Sequence, residues 1–232
     1  MATTVEEGTA STPSVGGANA FLLTTLPLGI FWFTFTVAVL AAGVPMLLFW
    51  LGLPVVLLGM VTWRGGARLE RARVRALLGR YIADPYRPLP GGFAADMKVR
   101  AKDPATWRDM LYLVLLFPVG LFWFVLFVTL WSIGLGLSTL WIWFRYLPNG
   151  EAPLLDVGDA DGPVILVNST LDALPWAVGG VLVLVATVFL SRGAAALHGR
   201  FAHALLAPTW SQVRRADEQY REQFDATRSY PA

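Results

Sequence analysis

Long uncharged segments alternate with arginine-rich segments along this chain. The first uncharged segment, Phe21–Trp63, is about twice the length needed to cross a bilayer core of roughly 30 Å, because a helix rises about 1.5 Å per residue. It must therefore fold back, and Gly43–Pro45 is the predicted turn. A break at Gly52–Pro54 is the alternative, but it leaves only Pro54–Trp63 uncharged, which is too short to cross.

The same pattern predicts an all-α integral membrane protein with four transmembrane helices. The predicted spans are residues 21–42, 45–63, 110–134 and 175–191. Asp103 and Pro104 have the residue types of an N-cap and a first helical position ahead of the third span. The surplus segment Ile133–Phe144 either extends beyond the bilayer or lies at its surface. Residues 1–20 are predicted to form a disordered tail, residues 21–209 a membrane domain and residues 210–232 a cytoplasmic tail.

Two pairs of segments repeat within the chain. Leu26–Leu40 matches Phe117–Trp131 with an offset of 91, and Arg64–Leu78 matches Arg192–Leu206 with an offset of 128. Each repeat is thus an apolar stretch followed by an arginine-led helix. Four crossings would make the two copies run in the same direction, as two parallel two-helix repeats.

The charges are segregated in a way that predicts the topology. Hydrophobic residues make up 56% of the chain and charged residues 15%, against about 25% charged in soluble domains, so a water-soluble protein is excluded. Residues 64–108 hold eleven Lys/Arg and four Asp/Glu, whereas residues 147–174 hold five Asp/Glu and no Lys/Arg. The positive-inside rule therefore predicts a cytoplasmic linker at 64–109, an external acidic segment at 145–174 and both termini in the cytoplasm.

An arginine stripe follows the second span. Its members share one face of a helix at i, i+4, i+7 and i+11, namely Arg64, Arg68, Arg71 and Arg75. Such a stripe would contact anionic lipid headgroups, or it serves only as the topology signal. The two histidines of the last helix, His198 and His203, are expected at the surface or the interface, and no ionisable residue falls inside a predicted span.

Aromatic residues near the middle of the first and third spans form a candidate site for an apolar ligand. They are Phe31, Trp32, Phe122 and Trp123. Tryptophan in membrane helices usually lies at the interfaces, so Trp32 and Trp123 are expected to face protein. The favoured alternative is simple aromatic packing between two helices that approach closely at Gly29 and Gly120.

The external segment forms a candidate anionic patch for a cation or a basic peptide. Its acidic residues are Glu151, Asp156, Asp159, Asp161 and Asp172. Their spacing does not meet the EF-hand pattern, and a solvated loop is the favoured reading. We expect no enzyme, no metal, no cofactor and no nucleic-acid partner, because no catalytic motif occurs in a usable position and the chain has no cysteine.

Several motifs together resemble the putative sensor domain found in actinobacterial membrane proteins. They are the LPLG start at Leu26, GLPV at Gly52, RGGARLERARVRALLG at Arg64, DPYRP at Asp84, DPATWRDMLYLVL at Asp103 and RGAAALHGRFAHALLAPT at Arg192. In that family the domain is commonly the multi-pass input module of a sensor histidine kinase. This sequence has no kinase region, so the resemblance implies a sensor module with no catalytic domain.

The resemblance implies that the module detects an envelope or membrane-borne stimulus. Its expected partners are the anionic bilayer and a histidine kinase or another cytoplasmic or membrane protein, with a homodimer by analogy with kinase input domains. A transport or lipid-handling subunit and a structural subunit of a membrane complex are the alternatives.

Overall fold

A computed structural model describes residues 13–87, 89–155, 165–214, 217–218 and 221. The described part is mostly helical, with one short hairpin of strands. The helices are α1 (Val15–Met46), α2 (Gly52–Leu78), α3 (Phe93–Lys102), α4 (Pro104–Ser138), α5 (Leu140–Trp143) and α6 (Thr170–Leu206). The strands are β1 (Ala152–Leu155) and β2 (Ile165–Val167), which pair antiparallel.

The turn between α1 and α2 lies later than the sequence predicts. Helix α1 continues through Pro45, a 3₁₀ turn follows, and Trp50 takes the left-handed conformation (φ 60°) before α2 begins at Gly52. Gly43 lies inside the helix, where a Cβ would come within 2.9 Å of Val56 Cγ2. The predicted turn at Gly43–Pro45 is therefore wrong, because its glycine serves close helix packing. The break lies at residues 47–51, directly before the alternative at Gly52–Pro54, whose residues begin α2.

Helix α1 also begins earlier than predicted. The Ser14 hydroxyl accepts a hydrogen bond from the Gly17 N–H (3.0 Å), which caps a helix starting at Val15. Residues 15–20 are thus helical and not part of a disordered tail. Asn19 shows why they are ordered, since its side chain bonds Trp131 Nε1 (3.0 Å) and Ser191 Oγ (3.3 Å) on two other helices.

The N-terminus of α4 follows the prediction. The Asp103 carboxylate accepts a hydrogen bond from the Ala105 N–H (3.1 Å), and Pro104 occupies the first turn. The helix continues to Ser138, so it takes in the first part of Ile133–Phe144, and α5 takes up most of the remainder. Leu140 and Phe144 form a second small core with Ala152, Val167 and Ala173 beside the strand hairpin.

Helices α1 and α4 pack antiparallel. Gly29 faces the backbone of Leu116 and Phe117, Gly120 faces the backbone of Thr25 and Leu26, and Asn19 reaches Trp131. These pairs run in opposite directions along the two helices. The predicted parallel arrangement of the two repeats is therefore wrong for the described residues, because the two glycines allow an antiparallel crossing that buries both apolar segments against each other.

The contacts at this crossing are reciprocal under the repeat. With the offset of 91, Thr25 and Leu26 correspond to Leu116 and Phe117, so each glycine faces the equivalent residues of the other copy. Helices α2 and α6 behave likewise. Arg71 bonds the Leu206 carbonyl and Leu78 contacts Gly199, and the offset of 128 exchanges these two pairs. Exchanged pairs indicate a two-fold relation between the copies, and the antiparallel crossing places its axis across the helices, as in an inverted repeat.

Three described helices are long and apolar enough to cross a membrane. They are α1 with its 3₁₀ extension (Val15–Phe49), α4 (Pro104–Ser138) and α6 (Thr170–Leu206). Helix α2 is 27 residues long, but its second half carries the arginines. It packs along α1, as the Trp63 Nε1 bond to Thr36 Oγ1 (3.1 Å) illustrates.

Candidate functional site: a buried charge cluster

Charged residues of α2 and α4 meet inside the bundle. The Arg64 guanidinium bonds the Asp103 carboxylate (2.7 Å) and the Thr106 hydroxyl (2.9 Å). Arg64 is 4% exposed and Asp103 is 1% exposed, so neither charge is hydrated by bulk water. Burial lowers the pKa of Arg64 and the charge of Asp103 opposes that shift. Each charge is thus stabilised by the other, and removal of either would leave an uncompensated buried ion.

Arg71 joins four segments of the chain. Its guanidinium bonds Asp109 on α4 (3.0 Å), the Leu206 carbonyl at the end of α6 (3.1 Å) and the Tyr86 hydroxyl in the linker (3.0 Å), with Asp84 at 3.4 Å. A guanidinium carries five N–H donors in a fixed plane, so it can serve several acceptors at once. The position of the linker is therefore tied to the ends of three helices.

Tyr86 lies at the centre of this cluster. Its hydroxyl donates to the Asp109 carboxylate (2.7 Å), and the guanidinium carbons of Arg64 and Arg71 lie 4.6 and 5.0 Å from its ring centroid. Burial and the Asp109 charge raise the pKa of Tyr86, so the phenol stays protonated and remains a donor. We call Arg64, Arg71, Tyr86, Asp103 and Asp109 the charge cluster.

The cluster corrects the expectation of an arginine stripe on the lipid. Arg64 and Arg71 are buried at 4% and 5% exposure and are paired, so they do not contact headgroups. Arg68 and Arg75 remain exposed on the outer face of α2. The physical reason is that Asp103 and Asp109 on α4 draw one side of the stripe inward. An open pocket of about 450 Å³ lies beside Arg75, lined by Arg71, Ala72, Ala76, Tyr81 and Ile82.

A second polar group occupies the point where four helices meet. Glu70 of α2 is fully buried, forms an ion pair with Arg73 (3.0 Å) and accepts a hydrogen bond from the Tyr112 hydroxyl of α4 (3.2 Å). Phe21 of α1 lies beneath the Arg73 guanidinium (4.2 Å) and contacts the ring of His198 of α6 (5.0 Å). We call these five residues the four-helix junction. His198 is 1% exposed, so the expected surface position is wrong.

The aromatic residues of the candidate ligand site do not form one site in the structure. Trp32 is buried against Gly66 of α2, whereas the half-buried Trp123 contacts Phe127 of its own helix at 6.0 Å. Phe31 and Phe122 are 57% and 59% exposed and point away from the core. The close approach at Gly29 and Gly120 that the packing alternative expects is present, and the aromatic rings that meet there are Phe33 and Phe117, 5.0 Å apart.

The candidate anionic patch lies partly within the described residues. Asp156, Asp159 and Asp161 lie outside the described residues. Glu151 is half-buried, and Asp172 belongs to the helix cap of α6. There the Ser169 hydroxyl donates to the Asp172 carboxylate (2.6 Å) and accepts from the Asp172 N–H (3.2 Å), so Ser169 is the N-cap of α6. Asp172 thus has a local role at the start of the helix.

The comparisons with known proteins assign the chain to a family. The structure describes a helical membrane protein whose apolar helices enclose paired charges beside an arginine-rich linker. The model of the family described as "Putative sensor" matches residues 21–206, so the chain belongs to that family. No curated protein and no solved structure matches the chain.

Proposed function

We propose that the protein is a non-enzymatic sensor module that detects a stimulus in or at the membrane and relays it through its linker to a partner protein. Membership of the sensor family supports the sensing role. The observation that carries the relay is Arg71, because one guanidinium bonds the linker, α4 and the end of α6. A shift of any of these helices must strain or move the same set of bonds.

The charge cluster suits a relay because it has few ways to rearrange. Buried ion pairs with satisfied hydrogen bonds hold their geometry, and loss of one partner leaves a costly charge behind. Such an element favours two discrete arrangements, with the linker docked or released, over gradual deformation. The linker is the surface that changes most between them, and the proposed reader is a histidine kinase or another membrane protein.

Three crossings account for the distribution of charges along the chain. In this proposal α1, α4 and α6 cross in alternating directions, so the linker and the C-terminus share one side. The eleven Lys/Arg of residues 64–108 make that side cytoplasmic by the positive-inside rule. The acidic segment and the N-terminus, which has no Lys/Arg before Arg64, are then external. The four-crossing alternative instead places both termini in the cytoplasm.

Photocrosslinking in native membranes tests the relay. A photoreactive amino acid replaces Arg87, an exposed linker residue, and crosslinked products are compared between the parent and Asp109→Asn. We expect a discrete membrane-protein adduct whose yield changes several-fold when the cluster is broken. Arg200→Gln, which alters an exposed arginine of α6, is the matched control and should leave the yield unchanged. An adduct that responds equally to both substitutions, or no adduct, contradicts the relay.

A further inference from the structure

The four-helix junction contains buried polar atoms without partners among the described residues. Both ring nitrogens of His198, Oε1 of Glu70 and Nε of Arg73 make no hydrogen bond. Buried polar groups in proteins are nearly always paired, and each exception calls for a reason. Glu70 and His198 are 0% and 1% exposed, so neither is satisfied by bulk water. The four-helix junction is therefore polar at its centre, and some of its polar atoms lack hydrogen bonds among the described residues.

The repeat explains why neither ring nitrogen of His198 has a hydrogen-bond partner among the described residues. The offset of 128 makes His198 the counterpart of Glu70, and the offset of 91 makes Phe21 the counterpart of Tyr112. The pair Tyr112–Glu70 on one side thus corresponds to Phe21–His198 on the other. Tyr112 donates a hydrogen bond from its hydroxyl to the Glu70 carboxylate, whereas Phe21 offers the His198 imidazole only an edge-to-face ring contact.

The surroundings of His198 disfavour its charged form. It meets Phe21 of α1 and Phe201 of its own helix, with ring centroids at 5.0 and 5.7 Å. The nearest cation, Arg73, lies over the same Phe21 ring. The other titratable groups facing the junction are Glu70 on α2 and Tyr112 on α4, and these bond each other. An imidazolium here would have two donors, no acceptor and a like charge nearby.

We propose that His198 is a proton-binding site and that its protonation opens the four-helix junction, which makes protons the stimulus of this sensor. The inference rests on the proposed sensing function and names the stimulus for it. The packed four-helix junction holds the neutral His198 ring, and the opened junction admits water, which hydrates the imidazolium. Because α1, α2, α4 and α6 all contribute to this junction, opening it displaces the helices that hold the linker.

The size of the effect follows from linkage. An imidazole in contact with water has a pKa of about 6.5, so lowering the pH from 7.5 to 5.5 multiplies the open-to-packed ratio by about ten if the packed form takes no proton. Glu70 acts in the opposite sense. Burial raises the pKa of its carboxyl, against the opposing charge of Arg73, so its contribution to packing is present at low pH and is lost as the pH rises through the raised value.

Spin-label distances in lipid nanodiscs test the proposal. The chain has no cysteine, so labels at Leu69→Cys on α2 and Leu197→Cys on α6, both exposed positions, are specific. Glu70→Gln removes the opposing titration and leaves His198 alone. In that background we expect the longer-distance population to rise about tenfold relative to the packed one between pH 7.5 and 5.5. Adding His198→Gln should abolish the response.

A second variant uses the symmetry of the junction. Phe21→Tyr places a hydroxyl at the position equivalent to that of Tyr112, where its oxygen can accept from an imidazolium. In the Glu70→Gln background it should reduce the acid response well below tenfold. Distances that do not depend on pH, or a response that survives His198→Gln or is undiminished by Phe21→Tyr, overturn the proposal. Because the protein is purified and no partner is present, this outcome is separate from the crosslinking test of the relay.

Discussion

The crossing of α1 and α4 predicts that a single methyl group at Gly29 weakens the bundle. A Cβ built there lies 2.7 Å from the Leu116 carbonyl oxygen and 2.7 Å from Phe117 Cα. Both are backbone atoms, which cannot rotate away as a side chain would. Ordinary contacts of a Cβ begin near 3.4 Å, so Gly29→Ala forces the two helices apart by roughly 0.7 Å.

The magnitude follows from the packing lost along the crossing. A gap of 0.5–1 Å forfeits about a quarter to a half of each dispersion contact, and overpacked sites lose about 1–3 kcal/mol. Replacement of a helical glycine by alanine returns up to about 1 kcal/mol of backbone entropy. We therefore expect Gly29→Ala to lower the free energy of unfolding by about 1–2 kcal/mol.

Gly136 in the same helix pair is the matched control, because a Cβ there meets no atom within 4 Å. Gly136→Ala should be neutral or stabilising by up to about 1 kcal/mol. The free energies come from unfolding in dodecylmaltoside micelles with rising dodecyl sulfate, followed by the fluorescence of the ten tryptophans. Equal effects of the two substitutions would refute the close antiparallel crossing at Gly29.

Three further predictions concern two buried contacts and the membrane topology. Asp109→Asn leaves Arg71 buried without its carboxylate partner and should lower the free energy of unfolding by about 3 kcal/mol in the same assay. A loss below about 0.5 kcal/mol is typical of an exposed ion pair and would show that the cluster is not buried. Thr36→Val keeps the volume but deprives the Trp63 indole of its acceptor, so we expect a loss of about 1–3 kcal/mol, and no loss would exclude that bond. Impermeant thiol reagents applied to intact cells should label Ala2→Cys and Glu151→Cys but not Tyr81→Cys, and protection of Ala2→Cys would favour four crossings.

Much of the helical architecture is readable from the chain. The uncharged segments locate α1, α4 and α6, and the Asp103–Pro104 pair locates the start of α4. The turn is missed because Gly43 and Pro45 resemble a helix break, while the structure uses Gly43 for contact with Val56. Local propensity cannot distinguish a glycine that ends a helix from one that lets another helix approach.

The candidate site is harder to predict, because its members are distant in sequence. The arginine spacing is visible, but Arg64 and Arg71 become buried only because Asp103 and Asp109 lie opposite them on α4. A matched spacing of seven residues on one helix and six on the other was the available signal. Tyr86 gave no comparable signal, since its role depends on the path of the linker back along α2.

The direction of the repeats shows a further limit of sequence reasoning. Similarity between Leu26–Leu40 and Phe117–Trp131 indicates a duplication but does not say whether the copies run parallel or antiparallel. The predicted parallel orientation depends on four crossings, with α2 counted as a span. Once the second half of α2 packs its charges against α4, that premise fails and an antiparallel crossing becomes compatible with the chain.

The central claim is that the charge cluster holds the linker against the membrane helices. Spin labels at Arg87→Cys in the linker and Leu197→Cys on α6 measure this directly in lipid nanodiscs. The account predicts one narrow distance distribution in the otherwise unaltered chain and a broad one after Asp109→Asn, whereas Arg200→Gln should keep the distribution narrow. A distribution that Asp109→Asn leaves narrow and unshifted would contradict the claim.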